Sequence, residues 1–369
     1  MDEYFLILTA IDVGVLLFMC MMVYASENLS DRQKRGFLKT FVLIAAISIL
    51  EVVTVVVDKA PAQYRWLNLL TNYLGFALTP AVPLCLVHIL DKQGKGRSIR
   101  RSAAVIWFGY IVFLAASLPF GTVFGVEADN SYFRGEYFHI YVVMYFMSIL
   151  YLAVATSASA IVYQNKSKIL IFPLMGFLLL GTIVQLAFPN IHTTWLCVTL
   201  ISVLYYIYCN EMWNQLDGLT GLLNQASYLN RTSAARSGDK VLIVFDVDKF
   251  KQINDTYGHL YGDRCLKEVA DCMKTAYARY GGCYRMGGDE FCVILRNEDK
   301  EASCAEEFLH LLEEKRKENP QLPTVSYGSA TIRKGENILT TKERADQNMY
   351  VFKKARKEQE ALELNSVSD

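Results

Sequence analysis

The sequence predicts a multi-pass α-helical membrane domain followed by an α/β domain with a central mixed sheet. Charge is the first observation: of the 74 Asp, Glu, Lys and Arg residues, 25 fall in positions 1–210 and 49 in the remaining 159. The second is a series of long apolar segments confined to the first part. The third is the alternation, after Asp217, of short Val/Ile/Phe-rich runs with helical patterns. A chain of 369 residues is also longer than one ordinary domain.

Composition narrows the classes of partner and cofactor. The formal net charge is zero and no basic block stands out, so nucleic acid is not an expected partner. The nine cysteines form no CxxC pair, and their spacing suits neither a disulfide framework, a structural zinc site nor a haem attachment. Reduced thiols suit a cytoplasmic location for the second part.

Seven apolar segments in residues 1–210 approach the roughly 20 residues that a helix needs to cross a bilayer. The first is not a removable signal peptide, because the chain starts with the acidic pair Asp2-Glu3 and further spans follow. The segments lie near residues 4–26, 37–57, 66–90, 102–121, 138–163, 168–187 and 193–210.

Basic residues in the short connections predict the orientation, because Lys and Arg are retained on the cytoplasmic side. The first, third and fifth connections hold eleven basic residues, against three in the alternate ones. The amino terminus is therefore expected outside and everything after Tyr208 inside, which an odd number of spans requires.

Two carboxylates inside predicted spans, Asp12 and Glu51, are candidates for sensing an extracellular or membrane ligand. Each lies roughly 10 Å from the outer end of its helix, so both are able to line one outward-facing pocket. Protonation or pairing for packing is the alternative. Pro80 and Pro83 are expected to kink the third helix, and the outer loop 121–138 either contributes to sensing or serves as a solvated connection.

The second part reads as an α/β domain at 217–361, joined to the membrane domain (1–210) by a short helical linker at 211–216 and followed by a disordered tail at 362–369. A continuous helix there is expected to carry movement of the last span into this domain. The predicted strands are 240–245, 283–286, 291–295 and 324–332, and the predicted helices are 260–277, 302–318 and 342–359.

Two sites in this domain carry chemistry. An apolar strand ends in Asp246-Val247-Asp248, which places oxygen ligands at the rim of a sheet, although Asp also caps ordinary strands. Between two further strand-like runs stands Gly287-Gly288-Asp289-Glu290. The two glycines permit a hairpin turn with positive φ and let backbone amides approach phosphates, with acidic residues held directly after the turn.

Residues 217–357 strongly resemble the GGDEF family of diguanylate cyclases, whose domain is nucleotidyl-cyclase-like. Three separated motifs carry the resemblance: the signature at 287–291, the stretch 246–263, and an entry motif at 217–224 that is followed by Gln225 where the family usually has arginine. The product-inhibition motif RxxD is absent, since Ala278-Arg279-Tyr280-Gly281 stands at its place.

The resemblance implies a role for each matching residue. Asp246, Asp289 and the carbonyl of Val247 would bind Mg²⁺ or Mn²⁺, and Asn254 and Asp263 would read the guanine edge. The remaining substrate-side positions implied are Phe250, Lys251, His259, Gly287, Gly288, Lys353 and Lys357. His259 equally suits a packing role. At the end of the last helix, Arg356-Lys357 stands where the family usually has a Gly-Arg pair. Either Arg356 or Lys357 contacts a phosphate, or both belong to a solvated basic helix end.

The resemblance implies a diguanylate cyclase in the bacterial cytoplasmic membrane that converts two GTP to cyclic di-GMP and two pyrophosphates, as a homodimer and under a signal sensed by the membrane domain. Glu290 is the candidate for deprotonating the 3′-hydroxyl, with Asp289 as the alternative. A catalytically silent GTP-binding receptor would use the same pocket. A transporter or ligand-binding membrane protein would leave the cytoplasmic motifs without purpose.

Overall fold

A computed structural model describes residues 3–27, 29–90, 97–162, 194–233 and 239–366, with single positions and pairs between 173 and 187. Side chains are described throughout these ranges except at 97–100, 160–162 and 356–366. The chain divides into two compact units, Met1–Glu211 and Met212–Asp369.

The described residues of the first unit are helical apart from short connections and one small hairpin. Six helical stretches within the described residues are long and apolar enough to cross a membrane: Glu3–Ala25, Asp31–Asp58, Ala62–Leu90, Arg101–Phe120, Phe138–Ser159 and Thr194–Asn214. They match six of the seven predicted segments. The other, at 168–187, lies largely outside the described residues. The helices of this unit are α1 Glu3–Ala25, α2 Asp31–Asp58, α3 Arg65–Leu78, α4 Ala81–Leu90, α5 Arg97–Ser117, α6 Phe138–Val162 and α7 Thr194–Asn214.

The third predicted span is broken, as its prolines suggested. Helix α3 ends at Leu78 and α4 begins at Ala81, so Pro80 lies in the break. A proline there lacks the N–H that would continue the helical hydrogen bonds, and its ring clashes with the preceding turn. Pro83 lies in the first turn of α4, where the missing N–H has no helical partner in any case.

The hairpin of strands β1 Phe124–Val126 and β2 Tyr132–Arg134 is fixed to the helices by buried amides. Asn130 is fully buried in a positive-φ turn (φ 79°), and its Nδ2 donates to the carbonyl oxygens of Val57 at 2.6 Å and Ala60 at 2.8 Å. The Nδ2 of Asn68 in turn donates to the Asn130 carbonyl at 3.0 Å. The turn of the hairpin is thereby tied to the end of α2 and to α3.

The second unit is built on four strands in the order β4-β5-β3-β6, namely β3 Val241–Val247, β4 Gly281–Gly287, β5 Glu290–Leu295 and β6 Val325–Thr331. Neighbouring strands are antiparallel, and Leu223 adds a parallel bridge to Tyr284, so the sheet is mixed as predicted. The helices are α8 Gln225–Ser233, α9 Phe250–Tyr257, α10 His259–Tyr277, α11 Glu301–Glu318 and α12 Ile338–Ser366.

Apolar side chains are buried on both faces of the sheet, and the larger cluster lies on the face that carries Phe245. The rings of Phe245 and Phe308 meet edge to face with centroids 5.4 Å apart, and Tyr277 closes the triangle. All three side chains are fully buried. Helix α12 continues through residues 362–366, which were predicted as a tail; its end is rich in Ala, Glu, Leu and Lys, which favour helix.

Candidate active site

Strand β3 delivers two aspartates of different character to one end of the sheet. Asp246 is half-buried, whereas Asp248 is buried and accepts hydrogen bonds from Ser326 Oγ at 2.8 Å and Thr324 Oγ1 at 3.0 Å. The Asp248 N–H also donates to the Thr324 carbonyl at 2.9 Å. Asp248 therefore ties the end of β3 to the start of β6, and Asp246 is the one with a more open carboxylate.

The turn between β4 and β5 brings further acidic groups beside Asp246. Gly287 (φ 152°) and Gly288 (φ 51°) both adopt backbone angles that side chains disfavour, so the tight turn depends on glycine. Glu290 lies directly opposite Asp246 in the antiparallel register, and the Val247 N–H donates to the Asp289 carbonyl at 3.2 Å. Residues paired in this way have Cβ atoms about 5 Å apart on the same face of the sheet.

Lys353 reaches this acidic edge from helix α12. Its Nζ lies 2.5 Å from Asp246 Oδ1 and 3.5 Å from Asp248 Oδ1. Although partial burial disfavours its charge, the hydrogen bond and charge of Asp246, helped by Asp248, raise the pKa of Lys353 above its usual value. The structure thus places a protonated lysine against the aspartate that the sequence marked as a metal ligand.

Arg285 fixes the glycine turn, a role that the sequence reasoning did not assign. Its Nε and Nη2 donate to the Gly288 carbonyl at 3.1 and 2.7 Å, and its Nη1 lies 3.1 Å from Asp217 Oδ1. An arginine inside an otherwise apolar strand, two residues before the turn, was the signal available in the sequence. The guanidinium links the entry motif to the signature turn.

The turn from Asp217 to Thr220 holds the Asp217 carboxylate in position for that contact. Its Oδ1 accepts hydrogen bonds from the backbone N–H of Thr220 at 2.8 Å and from Thr220 Oγ1 at 2.7 Å. Partial burial opposes ionisation, but these bonds and Arg285 outweigh it and lower the pKa of Asp217. The carboxylate therefore stays charged against the guanidinium.

Helices α9 and α10 carry the predicted base-reading residues. Gly258 joins them with φ 83°, and a Cβ on Gly262 would lie 2.0 Å from Asn254 Oδ1 and 3.2 Å from the Phe250 ring. Gly262 therefore leaves the space in which Asn254 and Phe250 pack on α10. Asn254 Oδ1 is buried, and no hydrogen-bond donor reaches it from the described residues.

The other predicted residues are placed more loosely. Lys251 and His259 are exposed and Asp263 is half-buried. In the part of the chain that the structure describes, no hydrogen bond or ion pair connects these three with Asp246. Lys357 is part of helix α12, and the structure describes its backbone but not its side chain.

Two neighbouring strands bring carboxylates to this end of the sheet. No group of three or more His, Cys, Asp and Glu within the described residues is arranged to hold a metal ion. Mg²⁺ is usually bound by one or two carboxylates together with substrate phosphates. Asp246 lies opposite Glu290, and the Val247 N–H bonds to the Asp289 carbonyl, so three acidic residues are close to one another at this end of the sheet.

The second unit is similar in sequence to known diguanylate cyclases. Residues 214–359 match the family model described as "Diguanylate cyclase, GGDEF domain". The chain is 33% identical over 159 residues to diguanylate cyclase DgcN of Escherichia coli, covering 38% of each chain. It is 32% identical over 155 residues to diguanylate cyclase A of Treponema denticola, covering 40% of this chain and 41% of the relative.

Among solved structures, the GGDEF domain of DgcB from Caulobacter crescentus in complex with c-di-GMP is 29% identical, with a TM-score of 0.33, and the match covers 38% of this chain and 91% of that one. Residues 214–359, which make up most of the second unit, are similar to the GGDEF domain of diguanylate cyclases, as the motifs predicted. The chain spans less than half the length of the curated relatives named above.

Proposed function

We propose that the protein is a membrane-bound diguanylate cyclase that joins two GTP molecules into cyclic di-GMP with release of two pyrophosphates. One observation carries the proposal: Asp246 and Glu290 face each other across neighbouring strands, directly beside the Gly287-Gly288 turn. Acidic ligands, an open backbone turn and Lys353 together suit a nucleoside triphosphate with its metal.

The triphosphate is held by backbone and lysines in this proposal. The turn at Gly287 and Gly288 has no side chains to obstruct a phosphate. Lys353 and Lys251 neutralise phosphate charge, with Lys357 or Arg356 as a further contact. Since Lys353 rests on Asp246 in the structure, its ammonium needs only to turn from the carboxylate to a phosphate when the nucleotide binds.

The base is read by α9 and α10. The Asn254 side-chain amide contacts the guanine edge, and the Asp263 carboxylate accepts from guanine N1–H and N2–H. Adenine has no N1–H donor and would leave the Asp263 carboxylate unpaired. Phe250 and His259 complete the substrate side of these helices.

The chemistry is attack of the 3′-hydroxyl oxygen of one GTP on the α-phosphorus of the other. The new P–O bond replaces the bond to the β-phosphate, and pyrophosphate leaves with the bonding electrons. Glu290 accepts the hydroxyl proton, with Asp289 as the alternative. Asp246, Asp289 and the Val247 carbonyl would hold Mg²⁺ or Mn²⁺, which would supply positive charge to the phosphates. The reciprocal attack closes the ring.

The assembly and location follow from the same proposal. Each domain holds one GTP, so catalysis requires a homodimer with two domains facing each other. The six apolar helical stretches anchor the chain in the bacterial cytoplasmic membrane. The basic residues of the connections support an orientation with the amino terminus outside and the cyclase domain in the cytoplasm.

The test uses the full-length protein in nanodiscs with GTP and Mg²⁺. The protein is expected to form cyclic di-GMP, and an Asp289→Ala, Glu290→Ala double variant is expected to form none. A Glu306→Ala, Glu307→Ala double variant removes two adjacent exposed carboxylates from α11 and should match the wild type. Loss of activity in both double variants, or in neither, contradicts the proposed site.

A further inference from the structure

The first unit contains a cavity of about 470 Å³, within the range typical of small-molecule sites. Its walls are faces of α2, α3 and α6, closed by strand β2 and the start of α7. On α2 the lining residues Glu51, Thr54 and Asp58 recur at helical spacing, so one continuous face of that helix borders the cavity. Asp12, predicted to share a pocket with Glu51, is buried at 3% exposure and is not among the lining residues.

Hydrogen bonds hold one wall of the cavity in place. Asp58 Oδ1 accepts from the Tyr132 N–H at 3.2 Å and from Asn68 Nδ2 at 3.1 Å, which holds strand β2 against α2 and α3. Arg65 Nε donates to the Val126 carbonyl at 2.9 Å and secures the other strand of the hairpin. The aromatic and basic side chains of β2 are thereby fixed at the cavity.

One third of the 21 residues that line the cavity are aromatic. Seven line it, namely Phe76, Tyr132, Phe138, Tyr141, Tyr145, Phe146 and Trp195. The face of an aromatic ring attracts cations. The protein already uses this property at the rim, where the Arg134 guanidinium lies 4.8 Å from the centre of the Phe138 ring.

The hydroxyl and amide side chains that α2 and α3 contribute to the wall use their donors within their own helices. Thr54 Oγ1 donates to the Leu50 carbonyl at 2.8 Å, and Thr71 Oγ1 donates to the Asn68 carbonyl at 3.1 Å. Asn72 Nδ2 donates to the Asn68 side chain at 2.7 Å. Because these donors are spent within the helices, their oxygen atoms present lone pairs to the cavity, and the Glu51 carboxyl group lines it as well.

We propose that this cavity binds a small organic cation, a primary amine or quaternary ammonium with an apolar body. The ammonium lies toward Glu51 and the body lies against the rings. Lys59 and Arg134 do not oppose this placement: Lys59 is eight residues, about 12 Å, along α2 from Glu51, and Arg134 is held with β2 at the Asp58 end. This binding is independent of the proposed cyclase activity.

The structure offers a variant that fills the cavity without disturbing its walls. A Cβ added to Gly75, which lines the cavity in α3, meets nothing within 4 Å. A Gly75→Leu side chain therefore occupies the space of the ligand. Gly109 in α5 also has open space around an added Cβ and does not line the cavity, so Gly109→Leu is the matched control.

The experiment is calorimetric titration of the full-length protein in phosphatidylglycerol nanodiscs, whose headgroup carries no amine. The probes are 2-phenylethylamine, tetraethylammonium and the uncharged 2-phenylethanol. We expect saturable binding of at least one cation, and binding of 2-phenylethanol at least about tenfold weaker than that of 2-phenylethylamine, because a charge-assisted hydrogen bond contributes at least that factor. Glu51→Gln should weaken cation binding by a similar factor, Gly75→Leu should abolish it, and Gly109→Leu should leave it unchanged.

Three results overturn the proposal. They are no saturable heat from either cation in the wild type, equal affinity for 2-phenylethanol and 2-phenylethylamine, and unchanged cation binding by a Gly75→Leu protein that melts like the wild type.

A second experiment adds phosphatidylethanolamine to the nanodiscs. If that lipid abolishes binding of the soluble cations, a lipid headgroup is the occupant and the small-molecule proposal is wrong; unchanged binding supports it.

Discussion

Replacing Arg285 with methionine tests whether the glycine turn is positioned by the entry motif. The guanidinium donates two hydrogen bonds to the Gly288 carbonyl and pairs with Asp217 at 3.1 Å, and both side chains of the pair are mostly buried. A hydrogen bond to a charged group contributes about 1.5–3 kcal/mol. If the turn must be ordered to hold the triphosphate in the transition state, kcat/KM for GTP should fall roughly ten- to hundredfold.

The assay is the initial rate of cyclic di-GMP formation by the full-length protein over a range of GTP concentrations. Arg279→Met removes an exposed arginine from the same domain and should leave the rate within about twofold of the wild type, as surface substitutions usually do. An Asp217→Asn variant should lose part of the same activity, and the double variant should lose less than the product of the two single losses, because both changes break one contact.

A rate for Arg285→Met that equals the rate for Arg279→Met would refute the reasoning. So would strictly multiplicative losses in the Asp217→Asn, Arg285→Met double variant. A thermal melt of each variant separates loss of the turn from loss of the fold.

Three further changes follow from contacts at the site. Gly262→Ala places a Cβ 2.0 Å from Asn254 Oδ1, so KM for GTP should rise about tenfold or more with a destabilisation of about 1–3 kcal/mol, and an unchanged KM would contradict the role of Asn254. Lys353→Met should lower the free energy of unfolding at neutral pH. Because pairing raises the pKa of Lys353, its stabilising contribution is full below the unfolded pKa of about 10.5 and is lost as pH rises through the folded pKa. In urea titrations at alkaline pH, the wild type and the variant should therefore reach equal stability only above the folded pKa. Asp217→Asn should be less stable than the wild type at neutral pH, and the difference should disappear in acid. The reason is that the lowered pKa of Asp217 gives stability above the unfolded value of 3.8, and this stability is lost as pH falls through the folded pKa. A difference in the free energy of unfolding that persists in acid would contradict the pairing.

The sequence was sufficient for the parts of the site that lie in continuous motifs. The run that ends in Asp246 predicted a buried strand, and β3 confirms it as the centre of the acidic edge. The glycine pair predicted a hairpin turn, and the positive φ angles of Gly287 and Gly288 confirm it. Local patterns suffice here because alternation and turn chemistry act between near neighbours in the chain.

Contacts between distant positions were not readable in the same way. Arg285 and Asp217 are 68 residues apart, and only the folded sheet brings them together. Asp248 looked like a metal-side residue of its motif, but hydrogen bonds from Thr324 and Ser326 bury it. A single sequence gives no signal for pairings that depend on how β6 registers against β3.

The cavity of the first unit shows the same limit. Glu51 was recognised as a costly intramembrane carboxylate, and it does line the cavity. The aromatic wall was not recognised, because its members come from three helices and a hairpin, and each ring on its own is ordinary membrane-span composition. Asn130, which fixes the hairpin, stands in a loop that the sequence marked only as solvated or sensory.

The most direct test of the account measures both products of the full-length protein in nanodiscs, cyclic di-GMP and pyrophosphate, from GTP and Mg²⁺. The account predicts two pyrophosphates for each cyclic di-GMP, and neither product from the Asp289→Ala, Glu290→Ala variant. GTP binding by the wild type without either product, or pyrophosphate release without cyclic di-GMP, would contradict it.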